Sequence, residues 1–250
     1  MSKNRYFITL LLTGLFSTHA LAEPLTFSVD EYEDGRLTPT SVAQFEHYMA
    51  INHCAIRLVK QPQLKDQPPS SDLFFSARPN TLIAHQHEHY EAINTAIYQD
   101  NQPLTIAILI KSSTAVNDLT SMQGERLAII SDQSFLGGKQ AKALLADAGI
   151  VLAGKNIIET GSYLGAMSLL LHGDVFIAAI PGALARRWQN HNKLSIIAES
   201  APFKLGVILI NSALSNAQKD HCRSAFSLLN KANRRDKKLN VFPSWLMGFK

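Results

Sequence analysis

The sequence has little of several features that would point directly to a chemistry. It contains two cysteines in 250 residues, and it lacks the GxSxG, HExxH and GxxxxGK[ST] patterns of serine hydrolases, zinc peptidases and P-loop proteins. Its Lys and Arg residues do not cluster as they do on nucleic-acid-binding surfaces. Beyond the N-terminus, no apolar run is long enough to span a bilayer. These absences predict a protein that is not an enzyme and that has no cofactor and no nucleic-acid partner.

Two groups of residues remain as alternatives for catalysis. Ser134 has no base near it in the sequence, although catalytic partners need not be sequential. Asp30, Glu31, Glu33 and Asp34 crowd together after the first predicted strand, and paired carboxylates can perform acid–base chemistry. An acidic loop exposed to solvent is the simpler interpretation, and it is the one we predict.

The N-terminus has the features of a secretory signal peptide. Lys3 and Arg5 precede an apolar run over 6–16, and the sequence Ala-Leu-Ala ends at Ala22. We therefore expect cleavage after Ala22 and a periplasmic location, and no cysteine follows the cleavage site to carry a lipid. Removing residues 1–22 takes away two positive charges, so the formal net charge falls from +4 to +2.

Apolar runs typical of strands alternate with helical periodicity along the rest of the chain. This alternation predicts an α/β fold with mostly parallel sheets. Strands are expected at 25–29, 55–59, 73–77, 104–110, 127–131, 156–160, 175–180, 194–199 and 205–211, with helices between them.

Three loops between predicted strands and helices are rich in small and hydroxyl residues. They are "SDQSFLGG" (131–138), "TGSY" (160–163) and "SARPN" (76–80). Such loops offer free backbone N–H groups and a positive helix end to an anion, although helix capping alone also favours Ser, Thr and Gly there. We expect Gly137 and Gly138 to let the chain approach a ligand closely. The candidate ligand-binding residues are Ser134, Phe135, Gly137, Gly138, Gly161, Ser162, Tyr163, Ser76 and Arg78.

Two further patterns would permit a metal site or a disulfide bond. In "HQHEH" (85–89), His85 and His89 would share one helix face, but no second cluster with ligand spacing follows, so a polar surface helix is expected and a zinc site is the alternative. Export permits a disulfide between Cys54 and Cys222. The spacing alone does not decide whether these two residues meet.

Three segments resemble a known family. "DLTSMQGERLAIISDQSFLGGKQAKALLADAGI", "ETGSYLGAMSLLLHGDVFIAAIPGAL" and "IIAESAPFKLGVILINSALS", together covering most of 118–215, are similar to periplasmic solute-binding proteins of the phosphonate, phosphate and phosphite type. The resemblance implies a two-lobed type 2 periplasmic-binding-protein fold, each lobe a mostly parallel sheet flanked by helices, with two crossing hinge strands.

The resemblance also implies how the chain is divided and what it contacts. Lobe one would comprise 23–110 and 200–250, and lobe two would comprise 111–199. A small oxyanion or polar ligand would lie between the lobes, and an inner-membrane ABC permease would recognise the closed monomer. Because the C-terminal helix returns to lobe one, Cys54 and Cys222 could be neighbours there.

The sequence departs from the family at the residues that would hold the ligand. Phe135, Leu136 and Gly137 replace the Ser-Thr-Ser of the family's phosphonate loop, and only Gly138 is kept. Tyr163 stands where the family's Gly-Ser-His has its histidine. The acidic residue that meets the ligand amine is replaced near Ile180–Pro181. These departures favour a smaller oxyanion, or a more apolar ligand against Phe135.

Three other functions fit the same fold. One is a periplasmic sensor subunit that signals to a membrane kinase. Another is an amino-acid-binding protein, which would need an arginine for the carboxylate, and Arg78 is the candidate. The third is an enzyme, which would require an acid–base pair facing the cleft.

Overall fold

The chain forms two separate β-sheets, each with its own helices. The structure, a computed structural model, describes residues 23–31, 33, 36–59, 70–79, 89–98, 102–114, 119–230 and 237–250. We call the six-stranded sheet with its helices lobe 1 and the five-stranded sheet with its helices lobe 2. Within the described ranges, no helix has both the length and the apolar character needed to cross a membrane.

Lobe 1 is built from both ends of the chain, and lobe 2 is built from the middle. The elements of lobe 1 are β1 (Leu25–Val29), α1 (Pro39–Ile51), β2 (Ile56–Leu58), β3 (Leu73–Pro79), β4 (Tyr90–Tyr98), β10 (Leu205–Asn211), α5 (Asn216–Leu228) and β11 (Leu246–Phe249). The elements of lobe 2 are β5 (Ile106–Lys111), β6 (Leu127–Ile129), a π-helix (Phe135–Gln140) that continues into α2 (Ala141–Asp147), β7 (Ile157–Glu159), α3 (Tyr163–His172), β8 (Ile177–Pro181), α4 (Gly182–Gln189) and β9 (Leu194–Glu199).

Both sheets are mixed rather than mostly parallel, which corrects the sequence-based expectation. In lobe 1, with strand order β11-β4-β10-β3-β1-β2, β1 is parallel to β2 and β3, but β10 is antiparallel to β3 and β4. In lobe 2, with order β7-β6-β8-β5-β9, β6 is parallel to its neighbours and β5 is antiparallel to β8 and β9. The chain leaves lobe 1 through β4 and returns through β10, so these adjacent strands run in opposite directions.

The two connections between the lobes lie side by side. Phe203 N donates a hydrogen bond to Leu104 O at 2.7 Å, and the two residues form an isolated antiparallel bridge. The sequence-based division placed 104–110 in lobe 1, whereas β5 pairs only with strands of the five-stranded sheet among the described residues. We therefore propose that the lobes divide between Tyr98 and Ile106 and again between Glu199 and Leu205.

The region after β3 differs from the sequence-based expectation. Ser76 and Arg78 belong to β3, which continues through Pro79, and so they do not lie in a loop before a helix. Most of the expected helix near 80–90 lies outside the described residues. Tyr90–Tyr98 forms β4, a strand that the periodicity of its sequence did not reveal.

Lobe 1 is held by a helix with a strong N-terminal cap and by an aromatic core. Thr38 Oγ1 accepts a hydrogen bond from Ser41 N at 3.1 Å, and Ser41 Oγ accepts one from Thr38 N at 2.8 Å, so α1 begins with a reciprocal capping box. Helix α1 then directs Phe45 and Met49 into the core. The buried aromatic residues there contact one another in tilted and edge-to-face pairs: Phe27, Phe45, Phe75, Phe226, Phe242 and Phe249.

A disulfide joins Cys54, which precedes β2, to Cys222 in α5, with a Cα–Cα distance of 4.8 Å. Both sulfur atoms are buried in lobe 1. The bond links two segments that are 168 residues apart in the sequence, so it fastens the C-terminal helix of lobe 1 to the N-terminal part of the same lobe.

Reducing this disulfide should weaken the protein substantially, because the bond restricts the unfolded chain. We expect the free energy of unfolding to fall by about 2–4 kcal/mol in dithiothreitol, measured by urea unfolding followed by tryptophan fluorescence. The Cys54→Ala/Cys222→Ala variant should show the lower stability without a further effect of the reductant. Labelling of two thiols by iodoacetamide in unreduced, denatured protein would contradict the prediction.

Candidate functional site

The two lobes meet through a buried polar contact. Glu31 follows β1 in lobe 1, and Ser134 precedes the π-helix in lobe 2. Ser134 Oγ donates a hydrogen bond to Glu31 Oε2 at 3.0 Å, and the two residues are 7% and 5% exposed. We call the region around this contact the interlobe cleft.

The start of the π-helix uses its free N–H groups within the protein. Gly137 N donates to Ser134 Oγ at 3.0 Å, as expected of an N-cap serine. The backbone N–H of Phe135 lies near the Glu31 carboxyl group and lowers its pKa. The carboxyl group of Glu31 therefore occupies the positive end of this helix, which is a preferred location for an anion.

Tyr163 contributes a second polar group from lobe 2. It is the first residue of α3, whose N-cap Ser162 accepts a hydrogen bond from Gly165 N at 3.0 Å. The Tyr163 side chain is 1% exposed, and its hydroxyl lies near Ser134 without forming a well-directed hydrogen bond. Burial raises the pKa of this hydroxyl well above its ordinary value, and the negative charges of Glu31 and Glu33 raise the pKa further.

Ser76 and Arg78 contact Asp30, which is the residue before Glu31 in the interlobe cleft. The Asp30 carboxylate accepts hydrogen bonds from Ser76 Oγ at 2.9 Å and from Ala77 N at 2.8 Å. Arg78 Nε lies 3.7 Å from Asp30 Oδ2. Burial nevertheless raises the pKa of Asp30 to about 6, although the hydrogen bonds and Arg78 lower it. The arginine is thus engaged by an acid of its own lobe.

Glu33 is buried against the C-terminal segment of lobe 1. Its Oε1 accepts a hydrogen bond from the backbone N–H of Ser244. Glu33 also attracts the Arg36 guanidinium, whose pKa is lowered by burial and raised in part by this acid. Arg36 Nη2 donates to Asn240 Oδ1 at 3.3 Å. Glu33 therefore has both a hydrogen-bond donor and a positive charge beside it.

Glu31 has the most perturbed carboxyl group of the three. Burial, together with the negative charges of Asp30 and Glu33, raises its pKa to about 8, and the hydrogen bond from Ser134 and the nearby backbone N–H of Phe135 oppose the shift. Its Oε1 atom is buried without a hydrogen-bond partner. Strongly shifted acids in clefts mark candidate functional residues.

The prediction of a solvated acidic loop after β1 is wrong for Asp30, Glu31 and Glu33. Glu31 and Glu33 are buried, and Asp30 is enclosed by the hydrogen bonds from β3. Asp34 lies outside the described residues. The acid run carries no local signal of burial, because the residues that cover it come from lobe 2 and from the C-terminus.

The structure gives Gly137 and Gly138 a packing role. A Cβ atom on Gly137 would lie 2.5 Å from Ile130 Cγ2 and 2.9 Å from Tyr163 Cε1, and one on Gly138 would lie 2.1 Å from Ser131 O. These contacts are too short for any side chain. The two glycines therefore allow the helix to pack against β6 and α3, and contact with a ligand stays a prediction.

The remaining candidate residues lie around the same helix starts. Phe135 packs edge-to-face on Phe203 of the interlobe connection, with ring centroids 5.7 Å apart. Gly161 has φ +70°, and its N–H donates to Ile130 O at 2.9 Å. The structure thus brings Ser134, Phe135 and Tyr163 together with Glu31, whereas Ser76 and Arg78 approach only through Asp30. Their contacts with a ligand stay predictions.

No metal centre is present in the described part of the chain, where no three His, Cys, Asp or Glu residues are arranged to hold an ion. In "HQHEH", positions 85–88 lie outside the described residues, and only His89 falls within them. The zinc alternative for this segment therefore lies outside what the structure describes.

The two lobes are joined by two adjacent connections, and they meet through buried polar groups. This is the architecture of a protein that encloses a ligand between its lobes. The model of the phosphonate ABC transporter periplasmic substrate-binding protein family matches residues 70–250, which is more than half of the chain. The chain belongs to this family of solute-binding proteins. No curated protein sequence matches it.

Solved structures share the fold at low sequence identity. A binding protein component of an ABC phosphonate transporter from Pseudomonas aeruginosa has 14% identity, a TM-score of 0.62 and coverage of 91% of this chain and 81% of that chain. PhnD1 from Prochlorococcus marinus, in complex with methylphosphonate, has 13% identity, a TM-score of 0.62 and coverage of 90% and 92%. A chloride-bound protein from Xanthomonas citri has 12% identity, a TM-score of 0.59 and 90% coverage of each chain. The two-lobed α/β fold is thereby confirmed.

Gly137→Ala should destabilise the protein, because the added methyl group has no room between Ile130 and Tyr163. We expect a loss of about 1–3 kcal/mol in the free energy of unfolding, measured by urea denaturation. Gly154→Ala is the matched control, since a Cβ there meets nothing within 4 Å, and its stability should stay within about 0.5 kcal/mol of the wild type. Equal stability of the two variants would show that packing does not require Gly137.

Rising pH should favour separation of the lobes. In the closed contact Glu31 binds its proton more tightly, with a pKa of about 8 against an ordinary 4.5, so raising the pH between these values favours the open, solvated acid. The effect approaches about 1.4 kcal/mol per pH unit for one proton. The radius of gyration from X-ray scattering should therefore be larger at about pH 8.5 than at about pH 5.5.

Glu31→Gln keeps the size of the side chain without its charge, and this variant should lose most of that pH dependence. The same change in radius in the wild type and in Glu31→Gln would attribute the effect to other groups, such as Asp30.

Proposed function

We propose that this chain captures a small polar solute between its two lobes and presents the closed form to an inner-membrane ABC permease. The observation that carries the proposal is the buried contact between Glu31 of lobe 1 and Ser134 of lobe 2. Polar groups from both lobes converge there, so a ligand at this position would contact both lobes at once. Such differential contacts would favour the closed over the open state.

The location and the processing of the chain follow from its family and its N-terminus. The family is periplasmic, and we propose that residues 1–22 direct export and are removed, so that the mature chain begins at Glu23. The disulfide between Cys54 and Cys222 is compatible with an oxidising compartment. We propose that the mature protein acts as a monomer, binds no nucleic acid and does not convert its ligand.

The ligand of one relative suggests a chemical class to test. The Prochlorococcus marinus protein was solved with methylphosphonate, and the loop at Ser134 corresponds to the phosphonate loop of the family by sequence resemblance. In this chain the Glu31 carboxyl group already accepts a hydrogen bond from Ser134 Oγ and lies near the backbone N–H of Phe135. An oxyanion would have to displace this carboxyl group, so we propose a small polar ligand and keep phosphate, phosphite and phosphonates among the compounds to be screened.

A thermal-shift screen tests ligand capture. Phosphate, phosphite, phosphonates, sulfonates, amino acids and amines are added singly, and a true ligand at about 100 times its Kd should stabilise the protein by about 2.7 kcal/mol. Native mass spectrometry of protein from the periplasmic fraction should show a mature chain beginning at Glu23 with a small molecule retained. X-ray scattering should show contraction when the ligand is added.

Two N-cap serines provide a matched pair for the same screen. Ser134→Ala removes the donor to Glu31 and should weaken binding, whereas Ser215→Ala removes the cap of α5 in lobe 1 and should leave affinity unchanged. No stabilisation by any compound, together with no retained molecule, would contradict solute capture. Permease and ATPase genes beside this gene are expected, and a histidine-kinase gene there would favour the sensor instead.

A further inference from the structure

Two histidines lie side by side on the surface of lobe 1. The imidazole rings of His53 and His221 have centroids 5.7 Å apart, with an angle of 43° between their planes. Both residues are exposed. Neither ring forms a hydrogen bond or an ion pair with the part of the chain that the structure describes. The ring nitrogens are therefore accessible to a ligand from solution.

The backbone holds His53 in an uncommon conformation. Helix α1 ends in a Schellman motif, in which His53 N donates to Ala50 O at 3.1 Å and Cys54 N donates to Met49 O at 3.0 Å. The left-handed residue of this motif is usually glycine, but here it is His53, with φ 63°. The motif therefore fixes the backbone from which the His53 imidazole projects.

The disulfide of lobe 1 fixes the two histidines relative to each other. His53 immediately precedes Cys54, and His221 immediately precedes Cys222 in α5. The Cα atoms of the two bonded cysteines are 4.8 Å apart. A covalent bond thus brings the two imidazoles together, so little further ordering of the chain is needed when both bind one ion.

The positive charges next to His221 already have acidic partners. Lys219 Nζ lies 3.4 Å from Glu91 Oε1, and Arg223 Nη1 lies 2.5 Å from Asp220 Oδ1. Each of these cations on α5 is accompanied by a carboxylate, which reduces its repulsion of a further positive charge nearby. The surroundings of the histidine pair are therefore compatible with a bound cation.

The spacing of the two rings suits a single metal ion. A metal bonded to an imidazole nitrogen at about 2.0–2.1 Å lies about 3 Å from the ring centroid, so two rings on one ion have centroids about 4.5–6.5 Å apart. The observed distance of 5.7 Å falls within this interval. Imidazole is a good ligand for Ni²⁺, Cu²⁺ and Zn²⁺, of which Cu²⁺ binds most tightly, whereas Mg²⁺ and Ca²⁺ prefer oxygen ligands.

We propose that His53 and His221 form a surface site for a divalent transition-metal ion, and that this site binds Cu²⁺ more tightly than Zn²⁺. The two imidazoles supply the protein ligands. No three His, Cys, Asp or Glu side chains in the described ranges are arranged to hold an ion, so water completes the coordination. The bound ion links the end of α1 to α5 beside the disulfide.

The metal site is separate from the interlobe cleft. Strand β1 runs parallel to β2, and Leu25 at the start of β1 is paired with Ile56 at the start of β2. Glu31 follows the far end of β1 at the cleft, whereas His53 precedes the start of β2. The two histidines therefore lie at the opposite edge of the sheet, and the site does not depend on the proposed capture of a solute.

Titration calorimetry with Cu²⁺ on untagged protein tests the proposal. The variant His85→Gln/His87→Gln/His89→Gln serves as the parent, because three other histidines lie close together in the sequence there. We expect the parent to bind one Cu²⁺ per chain, to bind Zn²⁺ more weakly and to bind neither Mg²⁺ nor Ca²⁺. Affinity should fall from about pH 7.5 to about pH 5.5, because protons compete with the metal for imidazole. Electron paramagnetic resonance of the Cu²⁺ complex should show two nitrogen ligands.

Substitutions in this parent identify the two ligands. His53→Asn keeps a residue that tolerates the left-handed backbone, and His221→Gln keeps a good helix former, so both should fold. Each should weaken Cu²⁺ binding at least about tenfold. The double variant should bind little more weakly than either single variant, because one ion uses both rings. His191→Gln, which removes an exposed histidine of lobe 2, is the matched control and should bind as the parent does.

The results separate a shared metal site from two independent histidines. Absence of Cu²⁺ binding to the parent, or unchanged affinity in folded His53→Asn or His221→Gln, would overturn the proposal. Losses that simply add in the double variant would also overturn it, because they would show that each ring binds its own ion. His53→Gly, which carries the residue most common at this position of the motif, is a second variant with the same expected loss. Solute capture is tested by the thermal-shift screen and does not change with any of these outcomes.

Discussion

The hydrogen bond from Ser134 to Glu31 is the interaction on which the arrangement of the site depends. It places an acid of lobe 1 against the first turn of a helix in lobe 2, and it does so out of contact with water. The shifted pKa of Glu31 and the isolation of the Tyr163 hydroxyl both follow from this closure. Because both lobes contribute to it, the site exists only when they are together.

Local sequence signals predicted much of the fold. Helix α1 begins at Pro39 after a threonine cap, and strands β9 and β10 have the expected limits. Strand β4 was missed because its pairing with β10 and β11 is long-range. Likewise, the mixed direction of both sheets depends on how the chain crosses between the lobes, which apolar periodicity does not encode.

The site was predicted only in part, for a related reason. Ser134 and Tyr163 lie at the starts of helices, so capping preferences and the family resemblance predicted both as candidate ligand-binding residues. Glu31 was assigned to solvent because an acidic run normally has that environment. Its burial arises from residues more than one hundred positions away, and no pattern within a few residues of Glu31 reports them. The glycines at 137 and 138 were noticed, but their packing against Ile130 and Tyr163 required coordinates.

The disulfide has a consequence for the connectivity of the whole molecule. Cys54 and Cys222 lie on either side of the excursion that the chain makes into lobe 2, so the bond closes a covalent ring that contains all of that lobe. A single peptide bond cleaved anywhere in lobe 2 opens this ring without dividing the molecule. The two halves of lobe 1 would stay covalently attached, and their shared aromatic core would still hold them in register.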